Sequence, residues 1–128
     1  MGATVATFVD DLFFLAKIRE TAKAVGVTVI SPDGRAGTAL SEPPPQAIFL
    51  DLGSRTLPAI ERIRSFKANP ITARIPIIAF ASHVQTELIS SARAAGCDVV
   101  LARSAFTQQL PELLRRLDQG EEIAVSKP

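Results

Sequence analysis

Residues 4–31 read TVATFVDDLFFLAKIRETAKAVGVTVIS and contain one complete strand–helix–strand unit. The apolar run Thr4–Val9 predicts a buried strand, and Leu12–Val25 shows the spacing of an amphipathic helix. Gly26 favours the end of that helix, and Val27–Ser31 is a second apolar run. A strand, a helix and a second strand in this order are typical of α/β proteins with a parallel sheet.

The alternation of apolar strands and amphipathic helices continues along the chain and occurs five times in all. Further strands are predicted at Ala47–Leu50, Pro76–Phe80 and Asp98–Ala102. All five strands are continuous apolar runs, as expected when helices cover both faces of a sheet. The predicted fold class is α/β: a flavodoxin-like, doubly wound parallel sheet of the (βα)5 type with strand order 2-1-3-4-5. We expect a single domain over residues 1–120 and a C-terminal tail over residues 121–128.

The sequence pattern is clear for three of the later helices and weak for one. The third, fourth and fifth carry apolar residues at helical spacing, namely Leu57, Ile60, Ile63 and Phe66; Val84, Leu88, Ala92 and Ala95; and Leu110, Leu113, Leu114 and Leu117. The second helix is weak, because Arg35–Ser41 gives barely two turns before the prolines at positions 43–45.

The composition favours a globular protein of the cytoplasm. Hydrophobic residues make up 47% and charged residues 21% of the chain, and the net charge is +1. That charge gives no field to favour nucleic acid or an anionic membrane, and no apolar run approaches the ~20 residues of a membrane span. We therefore expect no nucleic-acid partner and no membrane association. The single cysteine, Cys97, excludes an internal disulfide and is interpreted as a buried structural thiol rather than a redox switch.

Three aspartates follow predicted strands: Asp10 and Asp11 come after the first strand, and Asp51 after the third. In an open parallel α/β sheet, ligands bind at the carboxyl ends of the strands, and the order 2-1-3-4-5 places the first and third strands side by side. We expect the three carboxylates to converge there. Mg²⁺ prefers such ligands, and an Asp51 oxygen would be the nucleophile toward a phosphoryl group. The alternative is a solvated acidic edge, because Asp is common in turns.

The sequence resembles the receiver domain of two-component response regulators over nearly its whole length, from about Val5 to Leu117. The resemblance rests on four segments, at residues 9–11, 47–51, 75–80 and 94–98. It implies that Asp51 is the phosphoacceptor and that Asp10 and Asp11 are the acidic pair at a magnesium ion. The backbone carbonyl of Gly53 would complete the coordination of that ion.

Two positions depart from the receiver pattern. Receivers carry a Ser or Thr at the end of the fourth strand, where this chain has Ala81, and a lysine after the fifth strand, where it has Arg103. Ser82 follows, but a shift of one residue turns a side chain to the other face, and Ser82 also opens a capping-box pattern. Arg103 retains the charge on a longer, planar head group. It either contacts the phosphoryl group or forms a standing salt bridge to Asp51.

Residues beside the predicted site leave alternatives open. His83, the only histidine, is either a solvated surface residue or a proton sensor beside the phosphoacceptor. Phe14 and Leu15 fit the apolar face of the first helix, which leaves Leu12 or Phe13 near the rim of the site. A side chain at that rim either covers a loop or contacts a partner.

The expected function is that of a stand-alone signalling module rather than an enzyme. Its partners would be a histidine kinase or a downstream effector. The resemblance places the partner surface on the fourth helix, fifth strand and fifth helix, about His83–Leu117, and the same face often forms receiver homodimers.

A phosphorylation-independent pseudo-receiver adaptor is the close alternative. A flavodoxin-like cofactor binder is a weaker one, because residues 10–14 offer no Gly- or hydroxyl-rich loop for a phosphate. A magnesium-dependent phosphohydrolase would require an acid at position 53, where the chain has Gly53.

Overall fold

The first strand–helix–strand unit forms as the sequence predicts. The structure is a computed structural model that describes residues 2–31, 44–53, 58–81 and 86–121. The unit consists of β1 (Thr4–Phe8), α1 (Leu12–Val25) and β2 (Thr28–Ile30). α1 ends at Gly26, whose φ of 89° lies in the left-handed region that favours glycine.

The remaining elements continue the same alternation. They are β3 (Ala47–Asp51), α2 (Ala59–Ala68), β4 (Ile77–Ala81), α3 (Thr86–Ala95), β5 (Val99–Ala102) and α4 (Arg103–Asp118). Within the described ranges, the strands form one parallel sheet in the order β2-β1-β3-β4-β5. The predicted doubly wound sheet and its strand order are therefore confirmed.

Both faces of the sheet are covered, which explains why the strands are apolar throughout. Phe49 and Phe80 belong to the core on the side of α1 and α4, whereas Ile48 and Ile77 belong to the core on the side of α2 and α3. Successive side chains of a strand point to opposite faces, so a central strand must supply apolar residues to both cores. This arrangement holds the carboxyl ends of the strands together at one edge.

Most boundaries differ from the predicted ones by one or two residues. β3 and β4 extend one residue beyond their predicted ranges, so Asp51 and Ala81 are the last residues of these strands. α4 begins at Arg103, directly after β5, although the apolar spacing located this helix only by its later turns. The reason is that the first turn buries Phe106 alone and therefore shows no periodic pattern.

Some predictions lie outside the described residues. They concern the second helix at Arg35–Ser41, the start of the fourth helix at Ser82, His83, and residues 122–128 of the tail. The division into a domain and a tail stays a prediction. Among the described helices, none is both long enough and apolar enough to cross a bilayer.

Candidate functional site

Asp51 is a buried carboxylate at the carboxyl end of the central strand β3. Its exposed fraction is 6%. Its Oδ1 accepts a hydrogen bond of 2.9 Å from the backbone N–H of Gly53. Burial raises the pKa of the Asp51 carboxyl above its usual range, and the Gly53 N–H and a nearby guanidinium oppose that shift only in part. Ionising the Asp51 carboxyl in this buried position therefore costs free energy.

Asp11 has a structural task as well as a place in the site. Its Oδ1 accepts hydrogen bonds of 3.0 Å and 3.1 Å from the backbone N–H groups of Phe13 and Phe14, which makes it the N-cap of α1. The Phe14 N–H and the side chain of Arg103 hold the pKa of Asp11 below its usual value. Asp10, its neighbour, is exposed, and its charge adds to the rise in the pKa of Asp51.

Arg103 joins the two carboxylates. Its Nη1 donates to Asp11 Oδ2 over 3.2 Å, and its Nη2 donates to Asp51 Oδ2 over 3.5 Å. The guanidinium also lies on the ring of Phe14, with its central carbon 4.4 Å from the ring centroid, and 5.6 Å from the centroid of Phe80. One planar cation thus connects the starts of α1 and α4 to the end of β3.

Ala81 lies where a receiver would present a hydroxyl group. It is the last residue of β4, is fully buried, and pairs in register with Ala102 of β5. A methyl group cannot donate a hydrogen bond, so position 81 offers nothing polar to a phosphoryl group. Ser82 and His83, the adjacent polar residues, lie outside the described residues.

A cation of the protein itself lies among the acids of the predicted magnesium site. The guanidinium of Arg103 lies between the Oδ2 atoms of Asp11 and Asp51, so the gap between these two atoms is not open to a metal ion in this arrangement. The Oδ1 atoms of the same two residues accept backbone hydrogen bonds. In the described part of the chain, no three His, Cys, Asp or Glu side chains converge as metal ligands. The magnesium site predicted at Asp10, Asp11, Asp51 and the carbonyl of Gly53 stays a prediction.

Sequence reasoning missed the aromatic support of Arg103 and its second carboxylate partner. Phe14 was identified as a core residue, and it is buried, but the spacing of α1 could not show that its ring carries a guanidinium. The pattern did predict the rim of the site, because Leu12 and Phe13 are 75% and 90% exposed. Cys97 is buried, and burial raises the pKa of its thiol to about 11, as expected of a structural cysteine.

A parallel sheet of this order, with a buried acid ending β3 and a basic residue after β5, has the fold of a response-regulator receiver domain. The chain is similar to the receiver domain of a sensor histidine kinase from Pseudomonas aeruginosa with magnesium coordinated in its active-site cleft. The sequence identity is 22%, the match covers 91% of this chain and 97% of that one, and the TM-score is 0.76.

Two other solved structures share the fold. The phosphorylated cyanobacterial phytochrome response regulator RcpA matches with 19% identity, coverage of 91% of each chain and a TM-score of 0.75. The chemotaxis response regulator CheY4 of Vibrio cholerae matches with 19% identity, 91% and 99% coverage and a TM-score of 0.74. No protein-family model and no curated protein matches the sequence. The resemblance to receivers is thus confirmed at the level of the fold.

The raised pKa of Asp51 predicts that Asp51→Asn has a higher free energy of unfolding at pH 7 than the wild type. A carboxyl whose pKa is higher in the folded state contributes stability below its unfolded value of 3.8, and loses it as the pH rises through the folded value. The advantage of Asp51→Asn should therefore grow from pH 4 to pH 7. Urea unfolding of both proteins across this range measures it.

The matched control for this measurement is Glu20→Gln, which removes an exposed carboxylate from α1. We expect that change to leave the free energy of unfolding nearly unaltered at every pH. A less stable Asp51→Asn protein at pH 7 would contradict the prediction, because the ion pair with Arg103 would then outweigh the cost of burying the charge.

Proposed function

We propose that the chain is a response-regulator-like signalling module that acts by binding other proteins, with Asp51 as its phosphoacceptor. The observation that carries the proposal is the buried Asp51 carboxylate at the end of β3, paired with the basic side chain that follows β5. The phosphorylated state of the cyanobacterial structural neighbour supports this assignment. We expect the protein to work as a switch or adaptor in the cytoplasm and not as an enzyme.

The chemistry required of Asp51 is nucleophilic attack on phosphorus. An Oδ atom would form a bond to the phosphorus of a phosphohistidine or a small acyl phosphate, while the bond to the leaving group breaks. The Gly53 N–H holds Oδ1, which leaves Oδ2 as the atom that faces the guanidinium. Arg103 would supply positive charge for the phosphoryl oxygens once its contact with the free carboxylate is broken.

The proposed partners are a histidine kinase and a downstream effector. The surface assigned to them is the face formed by α3, β5 and α4, which also suits a homodimer. Because Arg103 is the first residue of α4, a change in its contacts at the site acts directly on the beginning of that face. This connection supports α4 as the element that transmits the state of Asp51.

The experiment is intact-mass spectrometry after incubation with Mg²⁺ and a small acyl phosphate. We expect a mass increase of one phosphoryl group in the wild type and in Asp118→Asn, and none in Asp51→Asn. Asp118 is a suitable control because it is an exposed aspartate at the end of α4 that is remote from Arg103. The absence of a label under conditions that label an ordinary receiver would refute the phosphoacceptor role.

A second function, the phosphorylation-independent adaptor, is favoured by one observation. Arg103 already pairs with Asp51, and Ala81 provides no hydroxyl to report a phosphoryl group. If this second function holds, Asp51→Asn should bind the same proteins as the wild type in a pull-down assay, with and without the acyl phosphate.

A further inference from the structure

The guanidinium of Arg103 lies between two carboxylates where the central strands of the sheet end. It contacts one carboxylate from the start of α1 and one from the end of β3. We infer that Arg103 is the resident cation of the site and competes directly with divalent metal ions for the oxygens of Asp11 and Asp51. This inference does not depend on whether Asp51 is phosphorylated.

Hydrogen-bond donors already occupy the oxygens of both carboxylates. Arg103 takes the Oδ2 atom of each acid, and backbone N–H groups take the Oδ1 atoms, from Phe13 and Phe14 for Asp11 and from Gly53 for Asp51. All four oxygens therefore have a donor. An ion that bridges the two Oδ2 atoms must first displace the guanidinium, because both cannot lie between the same two atoms.

Aromatic rings hold the guanidinium of Arg103 in place. Its stacking on Phe14, and at longer range on Phe80, adds a cation–π attraction to the two charge-assisted hydrogen bonds. Phe14 is itself fixed, because its ring packs against Phe80 and Phe106 with centroid distances of 5.0 Å and 5.9 Å. The cation is thus held by a rigid aromatic surface rather than by flexible side chains.

Separating Arg103 from the two carboxylates costs free energy. As the first residue of α4 it lies at the positive end of the helix dipole, where a cation is unfavourable unless acids compensate it. Its Nε is buried and has no hydrogen-bond partner. The two carboxylates therefore offset the unfavourable free energy of placing a cation at the start of α4. That cost returns when a metal ion binds the carboxylates in place of Arg103. A lysine has neither the planar fork that spans the two carboxylates nor the flat guanidinium that stacks on Phe14, so it would compete less.

The test is a titration of the full chain with Mn²⁺, with the free ion measured by its electron paramagnetic resonance signal. We expect Arg103→Gln to bind Mn²⁺ at least about tenfold more tightly than the wild type, which is ~1.4 kcal/mol. Arg103→Lys, with no change in net charge, should show a smaller gain. Adding Asp11→Asn to Arg103→Gln should abolish the gain, which locates the ion at this site.

The matched control is Arg115→Gln, which removes the same charge from α4 at an exposed residue that pairs with Glu112. It should leave the Mn²⁺ affinity unchanged. Equal affinity in wild type and Arg103→Gln overturns the inference, and so does a gain in Arg103→Gln without any gain in Arg103→Lys, because net charge alone would then explain it. Circular dichroism verifies folding, and if Arg103→Gln fails to fold, Arg103→Lys against wild type decides. No phosphodonor is present, so this outcome is independent of the phosphorylation test.

Discussion

Phe106→Ala is expected to lower the free energy of unfolding by about 3–5 kcal/mol, since it leaves a cavity that the neighbouring rings cannot fill. Phe106 is fully buried in α4. Its ring lies 4.7 Å from that of Phe80, 5.2 Å from that of Phe49 and 5.9 Å from that of Phe14, measured between centroids. The loss therefore includes aromatic contacts to β3, β4 and α1 in addition to the apolar area.

Urea unfolding followed by circular dichroism measures the effect of Phe106→Ala. The matched control is Phe13→Ala, which makes the same change on α1 where the side chain is 90% exposed, and it should cost less than about 0.5 kcal/mol. Equal losses in the two variants would contradict the packing shown here. Because Phe14 and Phe80 carry the guanidinium of Arg103, this aromatic cluster also determines the geometry of the candidate site.

Lys67→Met should cost about 2–3 kcal/mol, the second largest loss, because it removes a cation whose hydrogen-bond donors are satisfied. The Nζ of Lys67 donates to the carbonyl oxygens of Ala73 and Ile75 and to Asp98 Oδ2, with distances of 3.0–3.1 Å. Asp98 Oδ2 also accepts from the backbone N–H of Ile77 at the start of β4. The variant would leave two carbonyl groups without this donor and the partly buried carboxylate of Asp98 without its cation.

Thermal and urea unfolding of Lys67→Met, compared with Lys17→Met, measures this loss. Lys17 is an exposed residue of α1, so the same substitution there should change stability by less than about 0.5 kcal/mol. A double-mutant cycle with Asp98→Asn should show that the two changes are not additive. A loss in Lys67→Met no larger than that in Lys17→Met would show that the ion pair contributes little.

Lys67 and Arg103 are basic residues at opposite ends of the strands, and their roles differ. Lys67 and Asp98 join the end of α2, the start of β4 and the residue before β5. They lie at the amino-terminal ends of the strands, whereas the three aspartates of the site lie at the carboxyl ends. Arg103 acts at the edge where the strands end. The stem of Lys67 also packs against Gly96, whose φ of 112° and close approach leave no room for a side chain. The Lys67–Asp98 pair therefore joins α2, β4 and β5 and is expected to stabilise the fold.

Periodicity was sufficient to predict most helices and strands because the apolar residues of each element follow the spacing of its buried faces. α1 was predicted with its observed bounds, since its apolar face and the terminal Gly26 both indicate the same helix. The start of α4 could not be predicted, because its first turn has a single buried residue, Phe106. Local pattern is informative only where several residues of an element face the same core.

The amino-acid sequence alone determined the doubly wound sheet, the position of the aspartates at strand ends, and the replacement of two receiver residues by Ala81 and Arg103. Only the tertiary structure decided what Arg103 contacts. Its carboxylate partners are 92 and 52 residues away along the chain. They meet it because α1 and α4 pack on the same face of the sheet, beside the end of β3. Side-chain contacts between distant elements depend on that packing, and no spacing within a helix or a strand encodes them.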